Sequence, residues 1–548
     1  MADSLANDII VREAAMRSDR VGFRSIWAQI AKKCDPLSDF NNSSPSEKWD
    51  VERLAQIFNS KPVMTLERAS SAALSLLVPS GDLWHGLKPI DDDLVDNKAV
   101  QEYVDVFRKR LFSWRYDSKA GFQSAIGGAY KHMMAYGVPC IHVEERFGSD
   151  APFLYRHIPL EQIVFAVNSA GIEDTAFRKF PMTAKQMAEK FGESNLVEPV
   201  KRVLEDPKVR GEKHFDVIHA VYPRISDRSR FAFDDVYVDV SNKKVMREGG
   251  QYEMPYLFSS FGRVDARLPY GYAPGMAALP DMKGAHRAKQ LFMRAAEKNV
   301  DPPQGVHPDF EGVLNLNAGA MNRGVFNSRG QQLVGPLNMG GNPQLGKDVF
   351  DVFNEDINSC FWLDLFITLL NKPDTTATEA LLRAQERSDL LAPPFAPQEA
   401  MLGRLISREI SILNRKAENG EINLPVMPDV LRDNGGIDLE FTSPLAQLRK
   451  SRQGSNNLQD INAVAQLAQY KEDVLDIVDF DEAGYEIGQS FGASATIWKD
   501  REAVEANRAA RAQAEQQMMA EQQQAMQVEQ AAKLAPAMKM MTETGGQQ

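Results

Sequence analysis

The stretch GNPQLGKD, residues 341–348, has the GxxxxGK spacing of a phosphate-binding loop and follows a possible strand, QLVGPL. Such a loop binds phosphate through consecutive backbone N–H groups and needs a hydroxyl at its eighth position to hold magnesium. Here Pro343 removes one N–H group, and Asp348 puts a carboxylate where Ser or Thr is required. The pattern therefore favours a turn that caps a helix over a nucleotide site.

Acidic residues and histidines supply two further candidates for chemistry. The aspartates of IDDDL, residues 90–94, are ligands of the kind that magnesium or calcium prefers, but no second acidic cluster accompanies them. His132 and His142 lie near Cys140 without the spacing of a zinc site or of a nucleophile motif. An acidic surface turn and structural histidines are the favoured interpretations. We therefore expect no catalytic residue, no cofactor and no bound metal.

Residues 266–306 have the composition of an active-site region, since a Gly/Pro/Tyr loop leads into a helix that ends before Pro302 and Pro303. Four basic or titratable side chains lie on this helix: His286, Arg287, Lys289 and Arg294. A stripe of mostly small residues also recurs at three- and four-residue steps: Ala285, Ala288, Leu291 or Phe292, and Ala295. A solvated face is the ordinary role of the charged residues. The small stripe would let identical neighbours pack closely.

Composition limits the class of protein. A chain of 548 residues predicts two to four folded units, and 43% apolar with 25% charged residues fits a globular protein. The formal charge of −12 argues against a broad surface that grips nucleic-acid phosphates. Three widely spaced cysteines predict a reducing compartment. The charged N-terminus and the short apolar stretches predict a soluble chain that is neither secreted nor membrane-spanning.

The pattern of helices and strands along the chain predicts a mixed α+β, helix-rich fold. Helical spacing covers residues 1–37, 65–79 and 98–137, and strand patterns dominate from 140 to 264, interrupted by a helix with Thr183 as its N-cap. Further helices are predicted over four later ranges: 281–299, 347–370, 398–416 and 499–541. Between the first two lies the segment 301–346, with nine glycines and no helical period. A loop of that length is usually functional or pairs with a partner.

Four segments, in their order and spacing, resemble the head-to-tail connector, or portal protein, of short-tailed bacteriophages. They are LERASSAALSLLVPSGDLWHGLKP, YGYAPGMAALPDMKGAHRAKQLFMRAAEKNVDPPQGV, TTATEALLRAQE and EAMLGRLISREISILNRKAENGEI. The resemblance covers most of residues 20–430, and it is the ordered set that is specific. Residues 430–500 match nothing that we recognise.

The resemblance implies a portal fold whose parts follow one another along the chain. They are a wing (1–270), a stem helix (271–300), a clip (301–346), a second stem helix (347–370), a channel loop (371–378), wing-return helices (379–430), a crown (431–498) and a C-terminal barrel helix with a flexible tip (499–548).

The resemblance also implies a function: a non-enzymatic ring, usually of about twelve copies, at one capsid vertex. Double-stranded DNA would pass through it during packaging and ejection, without sequence-specific binding. The implied partners are the major capsid and scaffolding proteins, the terminase, and the tail adaptor and nozzle proteins. The ring would be assembled in the bacterial host cytoplasm and kept in the virion. The implied channel-loop residues are Asn371, Lys372, Asp374, Thr375 and Thr376.

Two alternatives from other classes remain open. A nucleotide-binding virion enzyme would use Gly341–Lys347, and a scaffolding or adaptor protein would be built around the C-terminal helix.

Overall fold

The chain begins with two consecutive helices, α1 (Ala2–Asp19) and α2 (Val21–Cys34), in the predicted N-terminal arm. Trp27 and Ile30 of α2 are fully buried, whereas Val21 and Ile26, on the same predicted apolar face, are exposed. The helices are therefore confirmed, with a narrower buried stripe than the spacing indicates.

The structure is a computed structural model, and it is mixed α+β and helix-rich, as predicted. It forms two units, Met1–Leu448 and Arg449–Gln548. The described residues are 2–38, 40, 57–94, 97–146, 151–206, 212–224, 230–262, 269–317, 319–337, 343–370, 377–433, 436–467, 470–490 and 501–544.

Three more helices complete the helical part of the first core: α3 (Lys61–Leu77), α4 (Lys98–Arg115) and α5 (Phe122–Tyr136). They confirm the helices predicted over 65–79 and 98–137. Helix α3 buries alanines at 69, 72 and 73, and these short side chains allow it to lie close to α5. Large aromatic residues fill the remaining space, with Trp27, for example, edge-to-face on Tyr270 at 5.3 Å.

All described strand pairs are antiparallel, as the alternating pattern predicts. A three-stranded sheet has the order β3 (Phe153–His157), β2 (Cys140–Glu145), β9 (Tyr256–Phe258). A five-stranded sheet follows the chain through β4 (Ile163–Val167), β5 (Glu173–Thr183), β6 (His214–Pro223), β7 (Phe233–Asp239) and β8 (Lys244–Gln251). Strand β1 (His85–Pro89) pairs with the distant β12 (Ile437–Phe441), which closes the first unit.

Thr183 is the N-cap of α6 (Ala184–Phe191), as predicted. The Gln186 backbone N–H donates to the Thr183 hydroxyl at 3.2 Å, and the Thr183 N–H donates to the Gln186 side-chain oxygen at 3.0 Å. This capping box satisfies two N–H groups at the helix start. A second short helix, α7 (Glu198–Glu205), follows it.

Two helix predictions in the second half need correction. The single helix predicted over 347–370 is two helices, α10 (Pro343–Cys360) and α11 (Leu363–Leu370). Trp362 separates them in the left-handed region with φ 58°. The helix predicted over 398–416 is part of α12 (Ala377–Glu418), which continues through Pro393, Pro394 and Pro397. Each interior proline costs a backbone hydrogen bond, and burial of Leu391 and Phe395 beside them offsets that cost.

The remaining helices of the first unit are α8 (Pro274–Ala277), α9 (Leu279–Val300) and α13 (Asp429–Asp433). The second unit begins within α14 (Pro444–Leu467) and contains α15 (Phe480–Ser490) and α16 (Arg501–Thr544). An exposed ion pair joins α15 to α16, with Arg508 Nη2 2.7 Å from Asp481 Oδ1. The long C-terminal helix predicted over 499–541 is confirmed.

Candidate functional site

The loop before α9 anchors that helix in the core of the first unit. Tyr270 is buried between Trp27 and Phe165, with ring centroids 5.3 and 5.0 Å away. Two loop glycines make close backbone approaches: a Cβ on Gly271 would lie 2.5 Å from the Gly262 carbonyl oxygen, and one on Gly275 would overlap the Ala135 carbonyl. The Gly/Pro/Tyr composition therefore sets the direction in which α9 leaves the core.

Gly275→Ala is expected to lower the free energy of unfolding by about 1–3 kcal/mol, because the new methyl group meets backbone that cannot rotate away. Urea unfolding followed by circular dichroism measures the change. Gly127→Ala is the matched control, since Gly127 is a helical glycine of α5 with open space at its Cβ position. That control should be neutral or stabilising by up to about 1 kcal/mol. Equal stability of the two variants would contradict the close approach.

The four basic or titratable residues predicted on this helix all lie on α9, and they face different surroundings. Arg287 and Arg294 are exposed. His286 is half-buried, with its ring edge-to-face on Phe58 at 5.2 Å. Burial and the nearby Lys33 ammonium lower the pKa of His286. Lys289 lies over the Phe350 ring at 5.1 Å.

Helix α10 packs along α9 at Gly284, a small residue next to the predicted stripe. Ala285 is fully buried, and a Cβ added to Gly284 would lie 2.7 Å from the Phe353 ring. This close approach is between two helices of one chain. Packing of the same stripe between identical neighbours stays a prediction.

A cavity of about 390 Å³ opens where α3, α9 and α10 meet. Its wall contains Lys61 and Arg68 of α3 and Lys289 of α9, together with the rings of Phe58 and Phe350. Among the described residues, no Asp or Glu lines it. We call it the basic pocket. Of these three cations, only Lys289 was predicted from the sequence.

The predicted long segment after α9 is ordered by short-range bonds around a small sheet. Strands β10 (Gln304–Val306) and β11 (Val334–Pro336) pair antiparallel and have three residues each. Between them, the Asn327 side chain accepts the N–H groups of Arg329 and Gln331, both at 2.9 Å. The segment ends earlier than predicted, since α10 begins at Pro343.

Apolar side chains of this segment point into solvent. Val313 is 95% exposed and Met321 is 94% exposed. Leu316 and Phe326 are also mostly exposed. Isolated exposed apolar residues are common on protein surfaces, but four within one short segment are typical of an interaction site.

The family model described as bacteriophage head to tail connecting protein matches residues 6–498 of this chain. The chain belongs to that family. The portal protein of Salmonella phage epsilon15 is 25% identical over 540 residues, and the alignment covers 94% of each chain. This confirms the family resemblance of the four sequence segments, and the match also includes residues 430–498, beyond those segments.

Two other predicted sites are the channel loop and the GxxxxGK stretch. Asn371, Lys372, Asp374, Thr375 and Thr376 lie outside the described residues, so the channel loop stays a prediction. Residues 343–347 of the GxxxxGK stretch are the first helical residues of α10. They therefore do not form a loop ahead of a helix, which is the arrangement that phosphate binding requires.

The acidic turn at Asp91 and the cysteine at position 140 have local contacts that explain them without a ligand. Asp91 Oδ1 accepts the Asp93 N–H at 3.1 Å, as in an ordinary turn. Cys140 is buried, and burial raises the pKa of its thiol. Among the residues that the structure describes, no group of three or more His, Cys, Asp or Glu residues could hold a metal ion. Across the same residues, no helix has the length and apolar character needed to cross a bilayer.

Proposed function

We propose that this connector assembles into a closed ring of about twelve copies at one vertex of the capsid. Double-stranded DNA would enter through its channel during packaging and leave by the same route. The observation that carries the proposal is the exposed apolar surface between β10 and β11, within a chain that belongs to the head-to-tail connector family.

The segment 301–337 supports assembly because it is incomplete in one copy. Its two three-residue strands leave backbone groups at both sheet edges, and Val313 and Met321 are almost fully exposed. A strand from a neighbour can pair with such an edge, and an apolar partner surface can cover the side chains. We propose that it belongs to the clip predicted over 301–346, which binds first the terminase and later the tail adaptor and nozzle proteins.

The net charge supports passage of DNA without retention. Twelve copies at −12 each would carry roughly −144, so the ring as a whole would repel phosphate. A lining of many basic residues would hold the polymer, since each neutralised phosphate adds affinity. In this proposal the few contacts come from the channel loop, with Lys372 touching phosphate. The protein itself acts without catalysis.

The remaining parts of the proposal follow the predicted order of the chain. The wing, first stem helix, wing return, crown and barrel keep the ranges predicted from the sequence, and the second stem part comprises α10 and α11. The ring would meet the major capsid and scaffolding proteins during assembly in the host cytoplasm, and it would remain in the virion.

Electron microscopy and mass photometry of the purified full chain test the proposal. We expect ring particles with a central hole and a mass of about twelve times 61.2 kDa. We also expect no ATP binding by wild type or by Lys347→Ala. Single chains at every concentration tested would contradict the ring, and ATP binding lost in Lys347→Ala would favour the enzyme alternative.

A further inference from the structure

Helix α10 has basic residues beside the part that packs on α3 and α9, and acidic residues on its solvent-facing part. Phe350, Phe353 and Ile357 face the neighbouring helices, since Phe350 contacts Lys289, Phe353 lies against Gly284, and Ile357 is fully buried. Asn354 and Asn358 bond to Asn59 and Thr65 at the start of α3, at 3.0 and 2.9 Å. The side of α10 that bonds to α3 therefore borders the basic pocket.

The basic side extends beyond the pocket. We call it the basic face and define it by six residues: Lys33, Lys61, Arg68, Lys283, His286 and Lys289. Within the described ranges, none of the six forms an ion pair with a carboxylate. Burial, with Lys32 and Lys283 nearby, lowers the pKa of Lys33. Positive charges are thus concentrated on this face, although the net charge of the chain is −12.

The solvent-facing side of α10 is acidic. Asp351, Glu355 and Asp356 are all exposed, and we call them the acidic face. In the part of the chain that the structure describes, no Lys, Arg or His side chain pairs with any of these three carboxylates. Asp281 of α9 lies close enough to this face that the Asp356 carboxylate, together with burial, raises its pKa. Counting only the residues that the structure describes, both faces therefore have charge without an ion-pair partner.

Each charged face also surrounds exposed apolar side chains. Phe58 and Met64 lie beside the basic pocket, and Val349 and Val352 lie beside the acidic face; their exposures range from 37% to 57%. Apolar contacts inside a polar rim are the usual anatomy of a protein–protein interface. Two different faces on one chain that complement each other produce head-to-tail association, which closes into a ring when the rotation allows it.

We propose that the basic face of one copy binds the acidic face of the next copy in the ring. This inference rests on the proposed ring. Neighbouring copies recognise each other through these two faces. Lys61, Arg68 and Lys289 are the cations that pair with Asp351 and Glu355 of a second copy. Complementary charge on the two faces favours a second copy over nucleic acid as the occupant of the basic pocket.

Two charge-reversed variants of the full chain test this contact. One carries Arg68→Glu and Lys289→Glu, so both of its faces are acidic. The other carries Asp351→Lys and Glu355→Lys, so both are basic. Each alone is expected to form at least tenfold fewer rings than wild type, by mass photometry at equal concentration. Mixed in equal amounts, they should form rings again with the two variants alternating, because each face then meets its complement.

Controls separate the contact from folding and from the ring itself. Lys185→Glu with Glu189→Lys reverses two exposed charges on α6 and should leave ring formation unchanged. Recovery in the mixture shows that both variants fold. Normal rings from either variant alone, or no recovery on mixing, would refute the contact while wild-type rings keep the proposed function. Wild-type protein that forms no ring would refute both.

Binding of a labelled DNA duplex gives an independent readout. Wild type and the Arg68→Glu, Lys289→Glu variant should bind it equally weakly in fluorescence anisotropy. A variant that keeps its rings and loses DNA binding would instead make the basic pocket a nucleic-acid site and overturn the proposal.

Discussion

Glu409→Ala is expected to lower the free energy of unfolding of the first unit by about 3–5 kcal/mol, because it leaves a buried guanidinium without its anion. Glu409 lies on α12 and Arg115 at the end of α4, and both side chains are completely buried. Arg115 Nε donates to Glu409 Oε1 at 3.0 Å, and Arg115 Nη2 donates to Oε2. The Tyr155 hydroxyl donates to Oε1 at 2.5 Å. One carboxylate thus joins α4, α12 and β3.

Chemical unfolding at a fixed protein concentration measures this effect, since assembly changes apparent stability. Glu418→Ala removes an exposed carboxylate from the same helix and should change stability by less than about 0.5 kcal/mol. The double variant Arg115→Met, Glu409→Leu should recover part of the loss, because the unpaired charge is gone. Near wild-type stability of Glu409→Ala alone would mean that the guanidinium reaches water or another anion.

Local signals in the sequence predicted most of the helices and strands. The Thr183 capping box depends on residues three positions apart, so it can be recognised without the fold. The close backbone approach of Gly275 to Ala135, in contrast, joins distant parts of the chain and could not be recognised without the fold. The family resemblance supplied the order of the parts, and the comparison with known connectors confirms the family.

Features that depend on distant residues were not predictable from pattern. Trp362 breaks the predicted stem helix in a backbone conformation that bulky residues seldom adopt, and its ring packs edge-to-face on Phe261 at 5.4 Å. The Arg115–Glu409 pair joins positions 294 residues apart. The basic face was only partly recognised because Lys33, Lys61 and Arg68 come from helices whose approach to α9 has no signature in the sequence.

Acid is expected to destabilise the first unit through histidines that are buried uncharged. Burial and the Arg115 guanidinium lower the pKa of His85 to about 2, and burial with Lys131 nearby lowers the pKa of His132 to about 3. Arg115 Nη1 lies 2.8 Å from His85 Nε2, so this nitrogen must accept and the ring must be neutral. Near neutral pH these imidazoles are uncharged in both the folded and the unfolded chain. Below about pH 6.5 only the unfolded chain takes up the protons, so stability falls as the pH falls.

At pH 5 each of these two histidines should have lowered the free energy of unfolding by about 2 kcal/mol relative to pH 7. Urea unfolding at several pH values gives the slope of stability against pH, which is independent of any constant offset that a substitution introduces. His132→Phe keeps a ring among its aromatic neighbours and removes one titrating group. Its free energy of unfolding should therefore fall by about 2 kcal/mol less than that of wild type between pH 7 and pH 5. His307→Gln, at an exposed position, should keep the wild-type slope. If His132→Phe kept the wild-type slope, His132 would contribute nothing to that slope. The ring would then be protonated in the folded chain as it is in the unfolded chain.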